Sequence, residues 1–262
     1  MTLDRDTRRQ AITAIAFALT VAINTAAVLL PLNGNTTAEI SARFPALVIP
    51  ADYVFSIWSV IYLALLVFTV SQGLPGRRQD ERLRRIGYLP ALTGLLNTAW
   101  IVVWHYELFA LTVPVMATLL LVLIAIYWRL DIGRQPVPLR DRLTIELPWS
   151  LYLGWITVAT IANVTQMLVW SGFRGGPFPE EAWAVAVLVL GLLIAARLVL
   201  RHRDIAYAAV IAWAYAGIAA NQVETPVVVV TALAGAATIA LLALVSRFRP
   251  GTGQGPVAAS AA

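Results

Sequence analysis

Long apolar runs alternate with short polar stretches along the chain, and the pattern repeats eight times. A helix needs about 20 apolar residues to cross a hydrocarbon core of about 30 Å, and runs of this size recur throughout. We predict membrane spans at 10–30, 53–73, 88–104, 108–128, 144–170, 182–200, 204–221 and 226–247. The third span is short, whereas the fifth is long enough to tilt or to project beyond the bilayer.

The composition agrees with a membrane protein and excludes an ordinary soluble domain. Of the 262 residues, 60% are hydrophobic and 13% are charged, whereas soluble domains contain about 25% charged residues. The predicted fold class is therefore all-α: a polytopic transmembrane helix bundle of about eight spans. The chain has no cysteine, which excludes disulfides and cysteine metal sites.

The basic residues are all arginines, and their density alternates from one loop to the next. Seventeen of the 19 lie at the termini and in the second, fourth and sixth loops, whereas Arg43 and Arg174 lie in the first and fifth. Because cytoplasmic loops are enriched in arginine, we predict a multi-pass protein with both termini cytoplasmic, in a bacterial cell membrane. The arginines are scattered over short loops, so no nucleic-acid partner is expected.

The first apolar segment follows Arg5, Arg8 and Arg9, so a cleaved signal peptide is an alternative to a retained helix. The apolar core of a signal peptide has roughly 7 to 15 residues. The apolar stretch here is longer, which favours a retained transmembrane helix.

Aromatic and polar residues concentrate on single faces of the second, third and fifth predicted helices. At about 100° per residue, each set lies within a narrow arc of its helix. The sets are Phe55, Trp58 and Tyr62, then Asn97, Trp100 and Trp104, and finally Trp155, Ala159, Ala162 and Asn163. Small residues beside a tryptophan either allow another helix to approach closely or leave room for a flat ligand.

The tryptophans also have an ordinary explanation, because this residue is enriched at membrane–water interfaces. Four of them lie at predicted helix ends and are expected to be interface anchors: Trp104, Trp128, Trp170 and Trp183. For the deeper Trp58, Trp100 and Trp155, helix packing and ligand contact are both open interpretations.

Three motifs on these helices resemble the translocator-protein family (TspO/MBR, the tryptophan-rich sensory proteins). Residues 50–58, PADYVFSIW, followed by Tyr62, resemble the family's PPxWVFxxVWxxLY stretch. Residues 96–100, LNTAW, are similar to its third-helix LNxxW, and residues 155–163, WITVATIAN, to its fifth-helix WxxFATxLN. The order of the motifs and the helices that contain them agree with the family pattern.

The resemblance covers about residues 10–170 and implies a five-helix bundle with a pocket under the first outer loop. It implies a porphyrin, a haem-like tetrapyrrole or a sterol as ligand. In the family, the residues that match Trp58, Trp155 and Ala159 line this pocket. The predicted ligand-binding residues are Phe55, Trp58, Tyr62, Asn97, Trp100, Trp155, Ala159 and Asn163.

The chain also departs from the family pattern. Ala51 stands in place of a proline, Tyr53 in place of a tryptophan, and Val158 in place of a phenylalanine. Residues 166–174 lack the central tyrosine of the family's sterol-recognition motif, which disfavours a sterol.

Three predicted helices follow the part that resembles the family. On the second of them, Trp213 and Asn221 repeat the eight-residue spacing of Trp155 and Asn163. The alternatives are a degenerate internal repeat and a coincidence, and the nine tryptophans of the chain favour coincidence. The predicted division is 1–172 as a five-helix membrane bundle, 173–249 as three additional transmembrane helices and 250–262 as a disordered tail.

Few ionisable residues fall within the predicted spans. Glu146 lies one turn inside the fifth helix, where snorkelling or an ion pair with nearby Arg140 or Arg142 is expected; the alternative is a functional carboxylate. Asp52 lies at the start of the second helix, where a functional carboxylate and an N-cap are both open interpretations.

The sequence contains no recognisable catalytic set. No nucleophile–base pair, phosphate-binding loop or pair of acids is visible. His105 and His202 have no second ligand at suitable spacing, so no metal site is expected.

The leading hypothesis is an integral membrane receptor, sensor or transporter with a hydrophobic ligand in an aromatic pocket. The alternatives are a porphyrin-degrading membrane enzyme with Trp58 and Trp155 as redox partners, and a non-catalytic scaffold. No cofactor is required, and the resemblance implies porphyrin or haem as the ligand. The expected partners are membrane lipids and the hydrophobic ligand, with a homodimer as an open alternative.

Overall fold

The computed structural model describes residues 4–30 and 32–248, and all regular secondary structure in these residues is helical. The eight long helices are α1 Arg5–Leu29, α2 Ile57–Gly73, α3 Leu89–His105, α4 Phe109–Arg129, α5 Leu147–Trp170, α6 Glu180–His202, α7 Ile205–Asn221 and α8 Pro226–Phe248. Each coincides with one predicted span, so the predicted all-α bundle is confirmed. The predicted disordered tail, 250–262, lies outside the described residues.

Six of these helices, counted with the helical turns before α2 and α5, are long and apolar enough to cross a membrane. The other two, α3 and α7, have 17 residues each. At 1.5 Å per residue such a helix is about 26 Å long, which is near the lower limit for a span.

Helix starts are marked by side chains that accept hydrogen bonds from free backbone N–H groups. Asp4 accepts from the N–H groups of Asp6 and Thr7 at the start of α1. Asp204 accepts from the N–H of Tyr207 at the start of α7. Such an N-cap stabilises a helix by about 1 kcal/mol.

Helix α5 is central to the bundle, since it packs against α2, α4 and α7. Helix α1 packs on α2 and α3, and α3 on α4, whereas α8 packs on both α6 and α7. A Cβ atom at Gly154 of α5 would lie 3.0 Å from Val210 Cβ and 3.2 Å from the Tyr207 carbonyl oxygen. The small residue therefore allows α5 and α7 to approach closely, and α7 joins the last three helices to the first five.

The two ends of the bundle differ in charge. At the basic end, where residues 4–9, 74–88, 129–142 and 201–204 lie, arginines pair with carboxylates of other segments. These pairs are Arg78–Asp4, Arg84–Asp6, Arg77–Asp141, Arg82–Glu146 and Arg85–Asp131. At the opposite end, called the loop end, residues 32–56 include the loop helix Thr37–Ala42.

Candidate functional site

Five aromatic side chains from α2, α5 and the turn before α2 form one group, called the aromatic cluster: Phe55, Trp58, Tyr62, Tyr152 and Trp155. The ring of Trp58 lies 5.3 Å from Tyr62, 5.9 Å from Tyr152 and 6.2 Å from Trp155. Phe55 contacts Trp155 edge-on at 5.5 Å. These are distances of favourable aromatic pairs. The structure thus brings four of the eight predicted site residues into one group.

The backbone before α2 explains how Phe55 joins the cluster. Trp58 and Tyr62 are four residues apart on α2 and share a face. Residues Asp52–Ser56, however, form a 3-10 helix that begins after Ala51. Because a 3-10 helix has three residues per turn, the expected spacing of 100° per residue does not apply to Phe55. It reaches Trp155 from the preceding turn, outside α2 itself.

Tyr152 is the cluster member that sequence reasoning misses. It lies three residues before Trp155 on α5, and this spacing is the signal that it shares the face. Its hydroxyl accepts a hydrogen bond from Asn97 Nδ2 at 3.2 Å. Asn97 Oδ1 in turn accepts one from Asn24 Nδ2 at 2.8 Å. Asn97 therefore contacts the cluster through Tyr152 and connects it to α1.

Two polar atoms of the cluster are buried without a hydrogen-bond partner in the described part of the chain. They are the indole Nε1 of Trp155 and the hydroxyl of Tyr62. Trp155 is 2% exposed. An unsatisfied buried donor costs about 1–3 kcal/mol, so the cluster contains two groups that a hydrogen-bond acceptor would stabilise.

Trp100 stacks within a second aromatic group under the loop helix Thr37–Ala42. Its ring lies 5.2 Å from Trp104, which contacts Phe109 at 5.4 Å. Trp104 is 2% exposed, and its indole N–H donates to the carbonyl of Thr37 at 3.4 Å. The prediction that Trp104 is an interface anchor is therefore wrong, because the loop helix covers the end of α3.

Ala159 and Asn163 follow Trp155 by about one and two turns along α5. Asn163 Nδ2 donates to the hydroxyl of Thr112 on α4 at 3.0 Å, and its Oδ1 is buried without a partner among the described residues. Ala159 is half-buried against the main core. Both extend the row that begins at Trp155, and their part in ligand binding stays a prediction.

The aromatic rings pack on one another and leave little free space. Two cavities in the described residues have volumes of about 20 and 30 Å³. The first is lined by Thr13, Trp149 and Tyr152 among others, and neither is lined by Trp58 or Trp155. Ligand pockets usually measure roughly 300–1,000 Å³, so neither of these two cavities is large enough for a macrocycle.

Two carboxylates near the basic end are buried and have partners. Asp204 accepts hydrogen bonds from the hydroxyls of Tyr127 at 2.9 Å and Ser150 at 2.6 Å. Glu146 forms an ion pair, as one interpretation of the sequence expects, but its partner is Arg82 of another loop at 2.6 Å. Asp204 is not among the residues predicted from the sequence, although an aspartate directly before an apolar run is a helix-start signal.

A family model described as TSPO-like protein matches residues 10–245. The match starts in α1 and ends in α8, and so includes the three helices beyond the resemblance at residues 10–170. No curated protein and no solved structure matches the chain.

Proposed function

Because the chain belongs to the TSPO-like protein family, we propose that this multi-pass membrane protein binds a planar hydrophobic molecule of the tetrapyrrole class. The proposed site is the aromatic cluster, and the protein is of the sensor or transporter type. The observation that supports the proposal is the convergence of Trp58 and Trp155, 6.2 Å apart, with Phe55 and Tyr62 in ring contact beside them. Flat apolar ligands gain affinity from such rings by stacking and burial.

The unpaired donors refine the expected chemistry of the ligand. Trp155 Nε1 and the Tyr62 hydroxyl are buried and have no hydrogen-bond partner among the residues that the structure describes. A ligand with nitrogen or carboxylate acceptors would pair with them and remove their desolvation cost. A porphyrin offers such acceptors on a flat apolar macrocycle, whereas a pure hydrocarbon does not.

Binding requires the cluster to open, and the turn that contains Phe55 is the part best suited to move. Phe55 is 38% exposed, and it precedes α2 on a short 3-10 turn. Its contact with Trp155 contributes about 0.5–1.5 kcal/mol beyond burial. Moving the Phe55 side chain out of this contact therefore costs less than separating α2 from α5.

The proposal is tested by titrating the full-length protein in detergent with protoporphyrin IX, followed by the Soret band and tryptophan quenching. We expect saturable binding at micromolar ligand. In Trp58→Phe/Trp155→Phe the affinity should fall by about tenfold or more, because contact area and an indole donor are lost. Trp128→Phe is the matched control, since Trp128 is 62% exposed at the end of α4. Equal affinity in the double variant and the control, or an unchanged Soret band with the wild type, would overturn the proposal.

The orientation in the membrane is a further part of the proposal. The arginine-rich basic end is cytoplasmic under the positive-inside rule. The loop end, with the turn that contains Phe55, then faces the opposite side, from which the ligand reaches the cluster.

A further inference from the structure

Helix α7 is hydrogen-bonded to the segment that precedes α2, residues 49–54, called the anchor segment. Trp213 Nε1 donates to the carbonyl of Val54 at 3.2 Å. Asn221 Nδ2 donates to the carbonyl of Ile49 at 3.1 Å. These donors are eight residues apart, so they lie about two turns apart along α7 and about 80° apart around its axis.

A third contact lies between these two. The carbonyl of Gly217 accepts a hydrogen bond from the N–H of Ala51 at 3.0 Å. A Cβ atom at Gly217 would lie only 2.1 Å from Val54 Cγ2, and Val54 is 0% exposed. Only a glycine lets α7 approach the anchor segment this closely.

An aromatic contact also attaches the anchor segment to α7. Tyr53 of the anchor segment packs edge-on against the indole of Trp213, with ring centroids 5.4 Å apart. Trp213 thus contributes a hydrogen bond and an aromatic contact to one short stretch of backbone.

Both sides of the aromatic cluster are connected to α7. The anchor segment leads directly into Phe55 and, one turn later, Trp58. On the other side, α7 packs against Gly154 of α5, which is the neighbour of Trp155. A helix that contributes no ring to the cluster therefore contacts the segments on both of its sides.

We propose that Trp213, Gly217 and Asn221 are positioning residues that hold the anchor segment closed over the aromatic cluster. The last three helices then determine how readily Phe55 and Trp58 separate from Trp155, and so how readily a ligand enters. The effect on ligand entry rests on the proposed function, whereas the closure of the anchor segment does not.

A cysteine-accessibility experiment tests the closure without a ligand. The chain has no cysteine, so Val54→Cys gives a single thiol at a fully buried position of the anchor segment. We expect slow alkylation by N-ethylmaleimide in this background. Adding Trp213→Phe and Asn221→Ala should accelerate it by about tenfold or more, because both side-chain hydrogen bonds to the anchor segment are lost.

Two control variants remove comparable side chains at other positions. Trp128→Phe removes an indole at the basic end, and Gln222→Ala removes the side-chain amide of the residue beside Asn221. Neither control should change the alkylation rate. Equal rates in Trp213→Phe/Asn221→Ala and in the controls would overturn the proposal. Where Val54→Cys does not accumulate, Ala51→Cys on the same segment gives the same comparison.

Protoporphyrin IX association is the second measurement. In Trp213→Phe/Asn221→Ala we expect association about tenfold faster than in the wild type, since a larger share of molecules is open. Faster alkylation with unchanged porphyrin association would overturn the link to ligand entry. A wild type that binds no porphyrin but shows the expected alkylation pattern would instead overturn the proposed function and support the closure.

Discussion

The ring of Phe55 lies edge-on against the indole of Trp155, with centroids 5.5 Å apart. Phe55 belongs to a 3-10 turn at the loop end, whereas Trp155 is 2% exposed in the central helix α5. The contact joins a short, partly exposed segment to the central helix of the bundle. Under the proposed function, we expect the aromatic cluster to open here, by movement of the Phe55 side chain away from Trp155.

Phe55→Ala should open the cluster with a moderate loss of stability. The side chain is 38% exposed, so we expect the free energy of unfolding to fall by about 2 kcal/mol, from the lost burial and the lost ring contact. Protoporphyrin IX should associate faster, as measured by stopped-flow quenching. Phe178→Ala, at an exposed position between α5 and α6, is the control. Slower association in Phe55→Ala than in this control would contradict the assigned role.

Removing the hydroxyl groups of Tyr152 and Tyr62 should have different effects on the stability of the protein. Tyr152→Phe leaves a buried amide hydrogen of Asn97 without its acceptor, which costs about 1–3 kcal/mol. Tyr62→Phe removes a hydroxyl that has no hydrogen-bond partner in the described part of the chain, so stability should be unchanged or higher. Unfolding in mixed micelles measures both. A Tyr62→Phe variant destabilised as much as Tyr152→Phe would show that the Tyr62 hydroxyl has a partner.

Gly217→Ala should destabilise the protein even though alanine favours helices by about 1 kcal/mol. The new methyl group would meet Val54 Cγ2 at 2.1 Å, and overpacking of this kind costs about 1–3 kcal/mol. Adding Val54→Ala removes the clashing atom and should restore part of the loss. A double-mutant cycle in unfolding free energy checks this, and strict additivity would contradict direct contact.

We expect the loop helix to be less stable at acidic pH. The backbone N–H and the hydroxyl of Thr36 donate to the carboxylate of Glu39 at 2.7 and 2.9 Å and hold the pKa of Glu39 below its usual value of 4.5. Because the folded pKa is the lower one, this stabilisation is complete above about pH 4.5 and is lost as the pH falls through the lowered pKa.

Near-UV circular dichroism measures this effect, because the loop helix covers the stacked pair Trp100 and Trp104. Between pH 6 and pH 3 we expect a transition in the wild type that is missing from Glu39→Gln, which does not titrate. Identical pH profiles for the two proteins would exclude a contribution from the cap.

Cysteine labelling also decides the orientation of the bundle. Ala38→Cys places an exposed thiol at the loop end, and Gly76→Cys places one at the basic end. In intact cells, a membrane-impermeant maleimide should label the first variant, whereas the second should react only after lysis. The reverse pattern would show that the arginine-rich loops are not cytoplasmic.

The sequence by itself determined the helices. A span depends on a run of about 20 apolar residues and on local signals at its ends. Both are properties of contiguous residues, so the predicted segment 204–221 and the observed Ile205–Asn221 agree to within a residue. The shared face of Trp58 and Tyr62 was predictable for the same reason, since it follows from helical periodicity alone.

Only the tertiary structure decided which neighbouring segments these helix faces pack against. Periodicity does not tell which neighbour a helix has or how it is rotated toward it, because both depend on packing between distant segments. Trp104 therefore looks like an interface anchor until the loop helix is seen to cover it. Likewise Trp213 and Asn221 show only a repeated spacing in the sequence. Their hydrogen bonds to the anchor segment exist because Gly217 lets two backbones, far apart along the chain, come into contact.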